Sequence, residues 1–352
     1  MERLPGYISR LNMGSSVYFF NESDICIHKK QNHFSIIKCT TGEIKKLDLK
    51  NAYKFMVCNK AKKLFFVRGT HGKSYYFKPD EPFDNSKTKS YLHFYVYDLS
   101  SGTYKKSKPF RQLTPSDNMS AFHSDDENII AICNNGDILT INTDTLFVEL
   151  TMRLSDFAEM GDKFVYGPWY RTGRNKYETI VRRQRYWYKS NSHFDNFADS
   201  VEYLYVKLDL LTQALDCIPG DGKMYETSVY LEDCGLWVHQ RSNNSNRLKV
   251  SASVYDIKKN NEIIWSFEIP HKASDVMHSG WECRSIFDFS ENLFVICFNK
   301  MIYLCNLHDM SHKSIFFNTG MYDVFYNKEK GHILPIYYLG TTEEMITLDD
   351  FR

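Results

Sequence analysis

Short apolar strings alternate with short polar turns along the entire chain, and the longest apolar run is the six residues Leu293–Phe298. A recurring unit consists of an apolar string, a polar turn and a second apolar string. Examples are VYFF-NES-DICI from position 17, KFMVC-NKAKK-LFFV from 54, AFH-SDDEN-IIAIC from 121, VYLEDCGLWV from 229, FDF-SEN-LFVICF from 287 and DVFY-NKEKG-HILPIYY from 323. Strings this short, rich in Val, Ile, Phe and Tyr and bounded by Asn, Asp, Ser and Gly, predict antiparallel strands joined by tight turns.

A second signature follows these pairs: an apolar residue, an Asp or Asn, another apolar residue, then a polar turn. The clear copies are YDLSSG at 97–102, LDLLTQ at 208–213, YDIKKN at 255–260 and CNLHDM at 305–310, with weaker ones at 37–42, 141–146 and 348–351. The markers Lys38, Asp98, Asn142, Asp209, Asp256, Asn306 and Asp349 are separated by 60, 44, 67, 47, 50 and 43 residues. A period near fifty residues is the mark of a repeat architecture, and each copy has room for four strands. The expected units are 13–50, 51–113, 114–153, 160–220, 225–270, 283–318 and 319–352. The last has space for three strands, and the string Tyr7–Leu11, within 6–12, is expected to supply the fourth and close the ring. Residues 195–215 carry apolar positions at helical spacing, but Val201, Tyr203 and Tyr205 alternate, which favours a strand. A short helix is expected over 154–160.

With these strings and markers the chain resembles the WD-repeat-like family of seven-bladed β-propellers over its whole length. The Trp-Asp ending of that family appears only as Tyr97-Asp98, Tyr255-Asp256 or Leu208-Asp209. The resemblance implies an all-β, single-domain disc of four-stranded antiparallel blades over 1–352, whose faces bind proteins, peptides or, less often, nucleic acid.

Composition narrows the setting. The 352 residues are 43% hydrophobic and 25% charged, the balance of a chain with a substantial core. Neither a membrane-spanning run nor a secretory leader pattern is present, so the expected location is cytoplasmic or nuclear with no membrane partner. The nine cysteines sit mostly inside apolar strings and include no C-x-x-C pair, which predicts buried thiols rather than disulfides or a zinc site.

If the strands are laid out as propeller blades, three long connections leave by one face: Gly69–Ser90, Lys189–Ser200 and His271–Cys283. Connections of this length are usually functional or unstructured. They carry the aromatic and imidazole residues expected to anchor a partner, namely Tyr75, Tyr76, Phe77, Phe83, His193, Phe194, Phe197, His278 and Trp281. The alternative for each ring is to fold back as a cap on the strands beneath.

Lys plus Arg (44) nearly cancels Asp plus Glu (43), yet charge is segregated along the chain: +8 over 29–63, −9 over 114–162 and +7 over 163–189. The last window combines Arg171, Arg174, Lys176, Arg182, Arg183, Arg185 and Lys189 with Trp169, Tyr170, Tyr177, Tyr186, Trp187 and Tyr188. Such a mixture fits an acidic protein or peptide partner, or RNA and single-stranded nucleic acid, where bases stack on rings. It also fits a hairpin whose rings are packed inside and whose charges are solvated.

No enzyme signature emerges. The twelve histidines are scattered, and the closest local group, His271, Asp275, His278 and Cys283 in one loop, is read as ordinary loop polarity rather than a metal site. Neither G-x-S-x-G nor a phosphate loop occurs, and Asp125, Asp126 and Glu127 fit an exposed turn. The expectation is a non-catalytic interaction scaffold, a subunit of a larger complex, without catalytic residues, cofactor or metal. An enzyme with a site in the central channel is the remaining alternative.

Overall fold

The computed structural model describes residues 2–3, 15–19, 25–30, 33–38, 41, 43–47, 54–58, 63–70, 90–112, 119–123, 128–133, 136–157, 164–165, 168–184, 201–220, 223, 225, 227–242, 252–270, 285–298, 300–317, 320–327, 331–337 and 344–351. Regular structure within them is β, apart from 3-10 turns at Leu154–Asp156 and Leu348–Phe351. Of the short helix expected at 154–160 the described residues hold that first 3-10 turn, while 158–160 lie outside them. Over 195–215 the strand reading holds: Val201–Asp209 pairs with a strand on each side, where its Val and Tyr side chains suit a pleated surface better than a helix.

The described strands form seven antiparallel sheets. In chain order the first comprises Ser15–Phe19, Ile25–Lys30, His33–Lys38 and Ile44–Leu47; the second Lys54–Cys58, Lys63–Thr70 and Ser90–Asp98, with Thr103–Lys106 and Phe110–Gln112 sharing its outer edge. The third comprises Met119–His123, Asn128–Cys133, Asp137–Asn142 and Val148–Arg153. In the fourth, Phe164–Val165 and Tyr170–Gly173 both pair with Lys176–Gln184, followed by Val201–Asp209 and Ala214–Pro219. The fifth holds Thr227–Leu231, Leu236–Ser242, Ala252–Lys259 and Glu262–Pro270, and the sixth Ser285–Ser290, Leu293–Cys297, Met301–Asn306 and Ser311–Phe316. The seventh holds Met321–Asn327, His332–Tyr337 and Glu344–Thr347, completed by Glu2–Arg3 from the other end of the chain. That completing strand lies earlier than the string 7–11, which is outside the described residues.

By their internal contacts the residues form two compact units, 51–223 with the second to fourth sheets, and 1–50 with 224–352, holding the others. Within each unit neighbouring sheets pack face to face. Ile129, Ala131 and Cys133 face the second sheet's Phe65, Val67, Phe94 and Val96, while Ile130 and Ile132 face the fourth sheet's Trp169, Tyr177, Val206 and Leu208. In the other unit Phe294 and Ile296 join the fifth sheet's core, and Val295 and Cys297 the seventh sheet's. A strand buried on both faces needs apolar residues at every position, which is why IIAIC and LFVIC read as continuous rather than alternating strings. Each such Ile, Leu or Phe contributes about 1.5–3 kcal/mol of burial. Cys133, Cys297 and Cys305 are buried and not in disulfides, and burial pushes the Cys305 thiol far above its usual range.

The repeat marker acquires a physical meaning at four positions. The Asp98 carboxylate accepts hydrogen bonds from the Ser100 and Ser101 N–H groups at 2.8 and 2.9 Å, and those bonds hold it below the ordinary carboxylate range. Asn142 accepts from the N–H groups of Asp144 and Thr145, Asp209 from those of Leu211 and Thr212, and Asn306 from that of His308. Each is an Asx turn joining the third strand to the fourth. Four residues on, Gly102, Leu146, Gln213 and Met310 adopt φ of 66°, 53°, 53° and 54°. Three markers behave otherwise. Asp256 lies inside its strand, Lys38 ends a strand closed by Glu43, and Asp349 yields its place to Asp350, which accepts from the Thr347 N–H.

Candidate interaction surface

The predicted aromatic anchors Tyr75, Tyr76, Phe77, Phe83, His193, Phe194, Phe197, His278 and Trp281 all lie outside the described residues. Their roots do not. Lys63–Thr70 and Ser90–Asp98 pair as far as Thr70 with Tyr91, and Lys176–Gln184 pairs with Val201–Asp209 as far as Gln184 with Val201. Gly69, Thr70 and Ser90 therefore belong to strands, because their backbone groups extend the ladder. The connections are 71–89 and 185–200, each leaving the end of its sheet where the second strand passes to the third.

The turns from third to fourth strand carry exposed apolar side chains: Phe147, in the third sheet, is 66% and Leu211, in the fourth, 79% exposed. Both sit in the Asx turns described above, where the turn geometry is set by the preceding Asn142 or Asp209 and leaves their side chains outward. In the other unit Met310 occupies the corresponding turn, and Ile263 and Ile264 are exposed at a bulge in the strand that follows the Asn260–Asn261 turn. Nothing in the sequence distinguished these residues from core positions, because periodicity alone does not reveal which apolar residue falls in a turn.

The basic hairpin is half interior. Trp169 and Tyr177 are buried against Ile130, Ile132 and Leu208, and burial pushes the Tyr170 phenol up to about 12. The Trp169 N–H donates to Ser120 Oγ at 3.0 Å, and Thr179 Oγ1 donates to the Pro168 carbonyl at 2.8 Å, fixing the first arm against its neighbours. Lys176 Nζ lies 3.9 Å from Asp209 and Lys207 Nζ 3.5 Å from Glu178, while Arg171 Nε donates to the Gly173 carbonyl. Arg174, at the turn, is exposed. Arg182 and Arg183 lie in the strand opposite Val165 and Phe164, and Arg185 and Lys189 are outside the described residues. Two rings of the proposed stacking platform are thus core residues, as the solvated-hairpin alternative expects.

Among the described residues a dense polar cluster lies on the fifth sheet. Asp256 accepts from Arg241 Nε at 2.9 Å and from Ser266 Oγ at 2.7 Å, the three residues coming from three adjacent strands. His239 Nδ1 is 2.9 Å from Ser228 Oγ, and its ring is stacked between Tyr225 and Trp237 at 4.4 and 5.9 Å. Lys258 Nζ sits 5.1 Å from the Tyr225 ring centre, and Gln240 Nε2 donates to Ser253 Oγ at 3.1 Å. A serine beside a histidine is half of a nucleophilic pair, but both the His239 and Asp256 side chains are buried, and Asp256 is held by an arginine and a serine. The arrangement satisfies buried polar groups and specifies the pairing of these strands. Among the described residues no group of three metal-ligating side chains converges, and no helix is long and apolar enough to cross a membrane.

No protein-family model matches the chain, and no curated protein sequence does. Solved structures do. The β-propeller domain of Cps50 (Swd1) from Myceliophteria thermophila aligns over 96% of this chain and 98% of its own, at 10% identity and a TM-score of 0.56. The C-terminal WD40 domain of Sif2 aligns over 97% and 84%, at 8% identity and a TM-score of 0.51. The extracellular domain of a hybrid two-component system from B. thetaiotaomicron gives 8% identity and a TM-score of 0.54 over 98% of this chain, which spans only 42% of that protein. Identities this low speak to fold alone, and the fold shared is that of WD40-type β-propeller domains, with their four-stranded antiparallel sheets.

Proposed function

We propose that the chain is a non-catalytic protein-interaction module, a seven-bladed propeller closed by Glu2–Arg3 and working inside a larger cytoplasmic or nuclear assembly. The observation that carries this reading is the set of seven antiparallel sheets, the last completed by a strand from the far end of the chain. Completion of that kind removes an open seam and yields a rigid body whose connections are free to vary. The partner is held by the face from which 71–89, 185–200 and 271–283 leave, with Tyr76 and Trp281 among its anchors. The likeness to WD40 domains supports a scaffold role.

The test is quantitative capture of bound proteins from the native host by the wild-type chain and by a Tyr76→Ala, Trp281→Ala variant. Specific partners lost from the variant support the reading. Identical partners on both remove that face from the account. Recovery of nucleic acid, lost on Arg183→Glu and Arg185→Glu and weakened steeply by salt, favours the nucleic-acid alternative.

A further inference from the structure

The second sheet presents two unlike faces. Alternation along Ser90–Asp98 turns Leu92, Phe94 and Val96 toward the third sheet's core and sets Tyr91, His93, Tyr95 and Tyr97 on the reverse. Register then selects what joins the reverse face: Arg68 pairs with His93, Lys106 with Tyr95, Tyr104 with Tyr97 and Arg111 with Tyr91. Four segments separated in sequence thereby place two arginines, a lysine, a histidine and four tyrosines on one face, whose lower part, with Tyr97, Leu64 and Phe66, is buried and whose upper part carries the exposed Lys106 and Arg111. No acidic residue shares it among the described positions, and none of Arg68, Lys106 and Arg111 has an ion-pair partner there.

The outer strand is interrupted beside His93. Thr103–Lys106 pairs with the lower part of Ser90–Asp98 and Phe110–Gln112 with the upper part, leaving Ser107, Lys108 and Pro109 as a break. Ser107 makes the break stable: its Oγ accepts from the Phe94 N–H at 3.0 Å and donates to the Lys108 carbonyl at 2.7 Å, while its N–H donates to the Phe94 carbonyl. Lys106, Lys108 and Arg111 are exposed around it. His93 Nδ1 is buried without a hydrogen-bond partner, and burial, then Lys106, then Arg68 hold the imidazole below its usual range. A positive, proton-poor notch at a strand break is a place where negative charge is stabilised on arrival.

We propose that this notch binds a carboxylate-rich segment of a protein partner, with Arg68, Lys106 and Arg111 as its charge contacts. The inference rests on the interaction-module reading and names the chemistry of one contact. Ring geometry separates the acidic peptide from nucleic acid. Stacking a base requires an open aromatic face, but Lys106 Nζ already lies 5.6 Å from the Tyr95 ring centre, and Tyr104 packs on Tyr97 at 4.6 Å. What the surface keeps available is cationic donors, which suit carboxylates through charge-assisted hydrogen bonds.

The experiment titrates the intact chain with a fluorescein-labelled peptide of alternating Glu and Ser, and separately with a labelled oligo-dT of equal length, in low and moderate salt. The peptide is expected to bind, to weaken with salt, and to bind about ten-fold less tightly to a Lys106→Gln, Arg111→Gln variant, since each lost contact removes long-range attraction. Arg68→Gln is expected to weaken it further. The control Arg174→Gln, Lys176→Gln is expected to stay within about two-fold. Because Lys106 and Arg111 are exposed, their replacement leaves the core untouched, and a matching unfolding curve verifies this. Absence of peptide binding in low salt, equal binding by the double variant, or tighter binding of oligo-dT overturns the inference. If peptide binding fails while partner capture still depends on Tyr76 and Trp281, the notch falls and the interaction module stands.

Discussion

In the fourth sheet's hairpin, Lys176 and Lys207 each lie within 4 Å of a carboxylate, and Trp169 and Tyr177 are core residues. On the second sheet's reverse face, Arg68, Lys106 and Arg111 meet no carboxylate among the described residues, and Tyr104 is 39% exposed. Both regions are basic and aromatic and both bury some of their rings, yet in the one conspicuous in the sequence Lys176 and Lys207 find carboxylates, whereas the inconspicuous one keeps Lys106 and Arg111 exposed with no carboxylate beside them among the described residues. A run of like charge along a strand sends alternate residues to opposite faces, so its members are diluted and find partners on flanking strands. Uncompensated charge accumulates instead where separate strands each contribute one cation to the same face.

The sharpest way to break this contrast is to truncate a ring on each side of it. Trp169→Ala should cost about 3–5 kcal/mol in urea unfolding, since it opens a large cavity between two sheets. Tyr104→Ala should cost well under half of that because its ring is partly solvated. Equal losses would show that both surfaces are interior. Charge removal comes next in size. Lys207→Gln should lower stability by about 0.2–1 kcal/mol by leaving Glu178 alone, whereas Lys106→Gln with Arg111→Gln should leave stability unchanged or slightly raised, since it relieves repulsion. Of similar or smaller size is Gln213→Gly, in the turn that ends the fourth sheet's third strand. It should gain about 0.5–1 kcal/mol, because a left-handed conformation penalises any side chain with a Cβ.

Proton linkage adds a finer test. His93 is held below its ordinary value of 6.5 in the folded chain, so the unfolded chain takes up the proton first as pH falls. Stability should therefore decline as pH drops below that value, until the folded imidazole also protonates. His93→Gln should flatten that part of the profile. An unchanged slope would mean that other groups set it.

Much of the fold was legible from residue patterns, because strands buried on both faces write continuous apolar strings and Asx turns need Asp or Asn at a fixed place. Asp98, Asn142, Asp209 and Asn306 are markers for that reason. Asp256 shared their sequence context but not their role: its strand runs on to Lys259, and the turn is made by Asn260 and Asn261, both with positive φ. The left-handed position after each Asx turn was hidden, since only Gly102 among its four occupants is a glycine. The notch was hidden more deeply. Arg68, Lys106 and Arg111 belong to three strands, and only the pairing register, which a charge window does not see, places them beside His93.

The most direct measurement is the NMR titration of the His93 imidazole with and without the Glu-Ser peptide. The account predicts a free pKa below 6.5 that moves upward when carboxylates settle among Arg68, Lys106 and Arg111. A peptide that binds while the His93 titration stays where it was would place the contact elsewhere and contradict the assignment.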